Sequence, residues 1–202
     1  MEKALKLLRG LRSVSFATIS EGKPQSRIID VMFIREDGLY FMTCKSKPFY
    51  RQLRESPHVA ITGMTQDFVQ IRLTGEVEVV SSELIDQIYR ENQDFDQLFP
   101  RNDDHAFMEV FRVFRGKGEI FDLSGKEVKM KRHRFAFGGE KVRKSGCEIQ
   151  ENCIGCGRCQ SVCPFQAIQA GSPYGIDSEL CDECGRCLLS CPVDAIALPT
   201  GL

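Results

Sequence analysis

The sequence predicts an α+β protein in two parts: a small antiparallel β-barrel with short helices, then a compact cysteine-rich module. Two observations carry this expectation. Over the first two-thirds of the chain, short apolar–polar alternations are separated by turn residues, as half-exposed antiparallel strands require. In the C-terminal stretch one cysteine run occurs twice, Cys153-x2-Cys156-x2-Cys159-x3-Cys163-Pro164 and Cys181-x2-Cys184-x2-Cys187-x3-Cys191-Pro192. Antiparallel strands with a few short helices place the chain in the α+β class.

Leu5, Leu8 and Leu11 stand at helical spacing, so a short amphipathic helix over 4–12 opens the chain. Strands are expected at 14–19, 26–34, 39–43, 59–62 and 68–80, with turns at Glu21-Gly22-Lys23-Pro24 and Glu36-Asp37-Gly38. In the longest run Ile71, Leu73, Gly75, Val77 and Val79 alternate with Arg72, Thr74, Glu76 and Glu78, which leaves one face exposed. Helices are expected over 47–55, with Ser46 at the N-cap and Pro48 in the first turn, and over 82–91, with Ser81 or Ser82 as N-cap. Strands at 109–114 and 118–123 complete a small barrel. Phe107, Phe111, Phe114 and Phe121 read as core.

The cysteine spacing is the bacterial-type ligand pattern for cubane 4Fe-4S clusters, and its doubling implies two clusters. Three cysteines separated by two residues wrap three corners of one cubane, and the cysteine after the x3 gap ligates the other cluster. Cys153, Cys156, Cys159 and Cys191 are therefore assigned to one cluster, and Cys181, Cys184, Cys187 and Cys163 to the other. Gly155, Gly157 and Gly185 supply turns toward sulfur, and Pro164 and Pro192 fix the backbone where the chain leaves each cluster. Zinc competes for paired CxxC units, but gains nothing from a third step followed by Cys-Pro. The two copies, 28 residues apart from Cys153 to Cys181, continue alike as Pro164-Phe165-Gln166-Ala167-Ile168 and Pro192-Val193-Asp194-Ala195-Ile196. The segment 145–202 thus resembles the two-cluster bacterial ferredoxins.

In the first part, three stretches in order carry a second resemblance: Arg27-Ile28-Ile29-Asp30-Val31, Leu39-Tyr40-Phe41-Met42-Thr43-Cys44-Lys45-Ser46-Lys47 and Gln70-Ile71-Arg72-Leu73-Thr74-Gly75-Glu76-Val77. Residues 1 to about 123 resemble the pyridoxamine 5′-phosphate oxidase-like flavin-binding split barrels. The resemblance implies an antiparallel split β-barrel that forms a homodimer, with FMN in a groove between subunits. It places Arg27, Thr43, Ser46 and Lys47 at the FMN phosphate, Ile28, Ile29 and Met42 along the flavin, and Gln70 near the ring. A phosphate needs cations and directed N–H donors, which a guanidinium and a helix start provide. The competing reading has Ser46 cap the helix while Lys45 and Lys47 face water, and Arg72 take the place of Gln70. Cys44 reads as a packing residue. His58, His105 and His133 show no ligand spacing, and no catalytic residue or substrate-recognising residue of the oxidases is located.

The domains expected are an FMN-binding barrel at 1–123, a basic connector at 124–146 and a two-cluster ferredoxin domain at 147–202. The net charge of −1 is uneven. The connector holds Lys126, Lys129, Lys131, Arg132, Arg134, Lys141, Arg143 and Lys144 against Glu127 and Glu140. The module after it holds seven Asp or Glu and two Arg. Either the connector is a solvated linker, or its cations dock the acidic module or an anionic partner. With little positive charge elsewhere, nucleic acid is not an expected partner. Eight of the ten cysteines fall in the cluster runs, so Cys44 and Cys147 are expected to be free thiols. No leader core or membrane-length apolar run is seen, so a reducing cytoplasm and no membrane are expected. Asp182 and Glu183 stand where the first run has Ile154 and Gly155, which predicts a lower potential for the second cluster. The expected function is electron transfer between FMN and the two clusters in a flavin-dependent oxidoreductase using redox partner proteins or NAD(P)H. The alternative is a non-enzymatic redox carrier or sensor whose barrel binds FMN or another anionic ligand.

Overall fold

The computed structural model describes residues 1–92, 94, 107–125, 131–142 and 146–198. The expectations for His105 and for Lys126, Lys129, Arg143 and Lys144 lie outside these residues. The chain divides into two compact units, Met1–Glu119 with Phe135–Lys141, and Ile120–Arg134 with Val142–Leu202.

The first unit opens with α1 (Glu2–Leu11), which buries Ala4, Leu5 and Leu8. It presses on β5 (His58–Met64) so closely that a Cβ at Gly63 would meet Leu11 Cδ1 at 2.5 Å and Leu8 Cδ2 at 3.6 Å. β1 (Ser13–Ser20) and β2 (Lys23–Asp30) form a hairpin with full register from Ser13↔Asp30 to Ser20↔Lys23. Its turn is Glu21–Gly22 alone, both with positive φ (51° and 72°), the geometry that matches the strand twist in two-residue hairpins. Lys23 and Pro24, expected in the turn, already belong to β2.

The strand expected at 26–34 is two strands. β2 ends at Asp30 and β3 (Phe33–Arg35) begins after Val31 and Met32, whose N–H groups donate to Arg12 O and Tyr40 O, both at 2.8 Å. β4 (Gly38–Cys44), β6 (Val69–Val79) and β7 (Met108–Asp122) complete the main framework. β7 is one strand of 15 residues where two were expected. Gly116 and Gly118 look like turn residues in the sequence. In the fold they let strands approach, since a Cβ at Gly116 would meet Thr74 O at 2.6 Å. A further strand, β8 (Lys131–Phe137), falls in the stretch read as a connector. Among the described residues the sheet has the order β2-β1-β5-β6-β7-β4-β3, with β8 also on β7, and every pairing of known register is antiparallel.

Both short helices start later than expected. α2 (Pro48–Glu55) has Lys47, not Ser46, at its N-cap, and no side chain caps it. Lys47 is extended (φ −78°, ψ 147°), as a residue before proline prefers, so Pro48 fixes the start. α3 (Leu84–Glu91) follows a turn in which the Glu83 N–H donates to Ser81 Oγ at 3.2 Å. The core has an aromatic set, where Phe41 lies 4.8 Å from Phe16, 5.8 Å from Phe49 and 5.6 Å from Phe111 between ring centroids. A second cluster gathers Met32, Phe33, Tyr40, Met42, Met108 and Val110 under Ile85, Ile88 and Tyr89 of α3. Of the four phenylalanines read as core, only Phe111 is fully buried; Phe107 is exposed, and Phe114 and Phe121 are half-buried.

In the second unit β9 (Glu148–Ile149) pairs with β12 (Ile196–Ala197), and β10 (Ile168–Gln169) with β11 (Gly175–Ile176). α4 (Arg158–Ser161) and α5 (Arg186–Ser190) each follow a left-handed glycine, Gly157 and Gly185, both with φ 74°. The halves are thus built alike around Cys147, Cys159, Ile168, Cys187 and Ile196. Among the described residues no helix is long and apolar enough to cross a membrane.

Candidate functional site

Each unit carries a candidate site. In the first, Arg27 on β2 is drawn inward over the barrel. Its Nη1 donates to Thr18 Oγ1 at 2.8 Å and Phe16 O at 3.4 Å, and its Nη2 to Gln52 Oε1 at 2.7 Å. Thr18 and Gln52 are buried and bonded to each other at 2.7 Å, so the acceptors are fixed before any ligand arrives. The guanidinium lies 4.6 Å from the centroid of the Phe49 ring, which places it beside the first turn of α2. Burial pulls its pKa down, yet an arginine stays charged. Its described partners are all uncharged, so the positive charge is not neutralised within them. The donor set therefore fits an anion.

The other residues expected at this site are spread more widely. Ser46 and Lys47 are exposed just before α2, while the Thr43 side chain is buried. Ile28 is 66% exposed and Ile29 half-buried on β2, the strand at one end of the sheet order. Met42, at 5% exposure, packs in the core with Ile85, Ile88 and Tyr89 of α3. Gln70 lies on β6, three strands from β2 in the sheet order. Its Oε1 accepts from Arg72 Nη2 at 3.3 Å, which joins the two competing candidates. Lys45 is exposed, with its Nζ 3.9 Å from Glu109 Oε1. Cys44 packs by Met108, with sulfur atoms 3.2 Å apart. His58 and His133 are exposed. Thr18, Gln52 and Phe49, which hold Arg27, carry no motif and were not legible as site residues.

Among the described residues the second unit has two small cavities lined by cysteines. Cys153, Cys156, Cys159 and Cys191 line one, and Cys163, Cys181, Cys184 and Cys187 the other. Each cavity thus gathers three cysteines of one run and the last cysteine of the other. Backbone N–H groups aim at the sulfurs: Ala167 donates to Cys163 Sγ at 3.4 Å, Ala195 to Cys191 Sγ at 3.2 Å and Glu183 to Cys181 Sγ at 3.4 Å. Such bonds stabilise negative charge on sulfur. Burial pushes the thiols of Cys159 and Cys187 up, whereas Cys156 and Cys184 are exposed. Among the described residues no three His, Cys, Asp or Glu side chains gather closely enough for a single metal ion. Four soft donors around a shared cavity fit a multinuclear iron–sulfur group.

Cys147 is a fifth cysteine on the second cavity, only 3% exposed. Burial, and then Cys187 and Cys181, push its thiol up to about 12. It lies two residues before Ile149, which pairs with Ile196; Tyr174 lies two residues before Ile176, which pairs with Ile168, and lines the first cavity. The repeat therefore puts a thiol at one cavity where it puts a tyrosine at the other. Outside the cysteine runs, Cys147 gave no spacing signal.

Comparison with known proteins gives two family matches and a set of similar structures. Residues 1–110 match the model described as pyridoxamine 5′-phosphate oxidase, and residues 152–196 match a 4Fe-4S dicluster domain. No curated protein matches the chain. A NimC/NimA family protein from Clostridium acetobutylicum is 25% identical with a TM-score of 0.59, over 68% of this chain and 92% of its own. PhzG from Burkholderia lata 383, solved in complex with tetrahydrophenazine-1-carboxylic acid, is 15% identical with a TM-score of 0.53, over 70% of this chain and 84% of its own. The fold is thus an antiparallel split barrel with a ferredoxin-type region after it. With 110 of its 202 residues in the match, the chain belongs to the pyridoxamine 5′-phosphate oxidase family and carries a C-terminal 4Fe-4S dicluster domain.

Proposed function

We propose that this chain is a flavo-iron–sulfur electron-transfer protein, passing electrons between FMN in the split barrel and two 4Fe-4S clusters. The observation that carries this reading is the crossed set of cysteines: each cavity takes three from one run and one from the other. The ligands would be Cys153, Cys156, Cys159 and Cys191 for one cluster and Cys181, Cys184, Cys187 and Cys163 for the other. Clusters exchange one electron each, whereas FMN exchanges electrons singly or in pairs. A chain holding both is suited to connect pair-wise donors such as NAD(P)H with one-electron partner proteins.

In the barrel, Arg27 would meet the FMN phosphate, oriented by Thr18 and Gln52, with Ser46, Lys47 and Thr43 from the segment leading to α2. Ile28 and Ile29 would lie along the ring. The exposure of Ile28 on the terminal strand of the sheet supports a homodimer in which a second copy covers it. A groove between copies also accounts for the separation of Gln70 from Arg27 within one chain. The test is composition: purified anaerobically, the protein is expected to release about one FMN and about eight irons per chain. Iron without flavin would overturn the flavin assignment and favour the carrier or sensor reading. Flavin without iron would overturn the cluster assignment.

A further inference from the structure

The two cysteine loops differ at one demanding backbone position. In Cys153-Ile154-Gly155-Cys156 the left-handed residue is a glycine with φ 68°. In Cys181-Asp182-Glu183-Cys184 the equivalent residue is Glu183, with φ 58°. A side chain in this region is disfavoured, and persists where its surroundings hold it. Here the holders come from β8. Arg134 Nη2 donates to Glu183 Oε1 at 3.0 Å, and Arg132 Nη1 stands 3.8 Å from the same oxygen. Arg132 Nη2 donates to Asp182 Oδ1 at 2.8 Å. Two residues apart on a strand, both arginines point to one face.

The arginines are themselves fixed. Each side chain is 14% exposed. Arg134 Nη1 donates to Ser178 O at 2.7 Å, the Arg132 backbone N–H donates to Glu179 O at 3.2 Å, and the Arg132 guanidinium lies 4.9 Å over the Phe121 ring. Held this way, Glu183 directs its own N–H at Cys181 Sγ.

We propose that Arg132 and Arg134 are positioning residues for the second cysteine loop, and that they raise the reduction potential of the cluster it ligates. The inference rests on the cluster assignment above. Reduction adds one electron, and hence one negative charge, to the cluster. Asp182 and Glu183 alone oppose that charge, which is why the sequence predicts a lower potential for this cluster. The structure sets two guanidinium charges against the two carboxylates, so the expected deficit is offset. It also keeps an N–H···S bond that favours the reduced state.

The test is an anaerobic redox titration of the full chain, read by EPR, with iron content measured in parallel. Two transitions are expected in the unaltered protein. Arg132→Gln with Arg134→Gln is expected to move one of them to lower potential and leave the other in place. Arg132→Lys with Arg134→Lys is expected to move it less. Glu183→Gly, which relieves the backbone and removes a carboxylate while keeping the N–H, is expected to move the same transition upward with iron content intact. If the glutamine pair does not assemble the cluster, Arg132→Gln and Arg134→Gln are titrated singly, each expected to move the same transition to lower potential. Unmoved transitions in these glutamine variants with full iron content would overturn the proposal and leave the cluster assignment standing. An unaltered protein without reducible cluster signals would overturn both.

Discussion

A half-buried guanidinium whose described partners are neutral oxygens is an incomplete ion pair, and Arg27 is in that state. Charge-assisted hydrogen bonds contribute about 1.5 to 3 kcal/mol, so Arg27→Ala is expected to weaken FMN binding on the order of 10- to 100-fold. Flavin fluorescence during titration of the apoprotein measures this, and unchanged affinity would place the phosphate elsewhere. Cys147 allows a second prediction at this scale. It borders the second cavity but lies outside the crossed set of eight, so Cys147→Ala is expected to keep about eight irons per chain. Loss of iron on that substitution would make Cys147 a ligand. The cysteine runs were legible because metal ligation demands one residue type at fixed spacing. Arg27 was legible only through its resemblance, since Thr18, Phe49 and Gln52 reach it from other elements.

Among the elements, α1 has no side-chain cap at its N-terminus and is seated by contact with β5. Leu8 is fully buried and faces Gly63 of β5, so Leu8→Ala is expected to cost about 2 to 5 kcal/mol of stability. Gly116→Ala drives a methyl group against the Thr74 carbonyl oxygen of β6 and is expected to cost about 1 to 3 kcal/mol. Denaturant unfolding measures both, and a neutral Gly116→Ala would mean that β6 and β7 do not approach closely there. Strands with clear alternation were legible, as the buried Ile71, Leu73 and Val77 of β6 illustrate. β7 was misread because Gly116 and Gly118 serve close strand approach, a non-local fact that looks like a turn locally. β8 was missed because its basic residues read as a connector, either solvated or docking the acidic module, while Arg132 and Arg134 donate to carboxylates about fifty residues later in the chain.

At the scale of the whole molecule, the family fold supplies a barrel, and the dicluster domain supplies one-electron chemistry. Neither alone says whether electrons pass between them. Turnover of NAD(P)H with an added one-electron acceptor separates an oxidoreductase from a carrier or sensor, which would hold its cofactors with negligible turnover. The most direct measurement is photoreduction of the flavin-loaded protein under anaerobic conditions with a sacrificial donor, followed by EPR. Light then delivers electrons through the flavin first. Cluster signals are expected to grow in as illumination proceeds. Bleached flavin beside silent clusters, in a sample whose clusters dithionite then reduces, would contradict electron transfer from flavin to clusters.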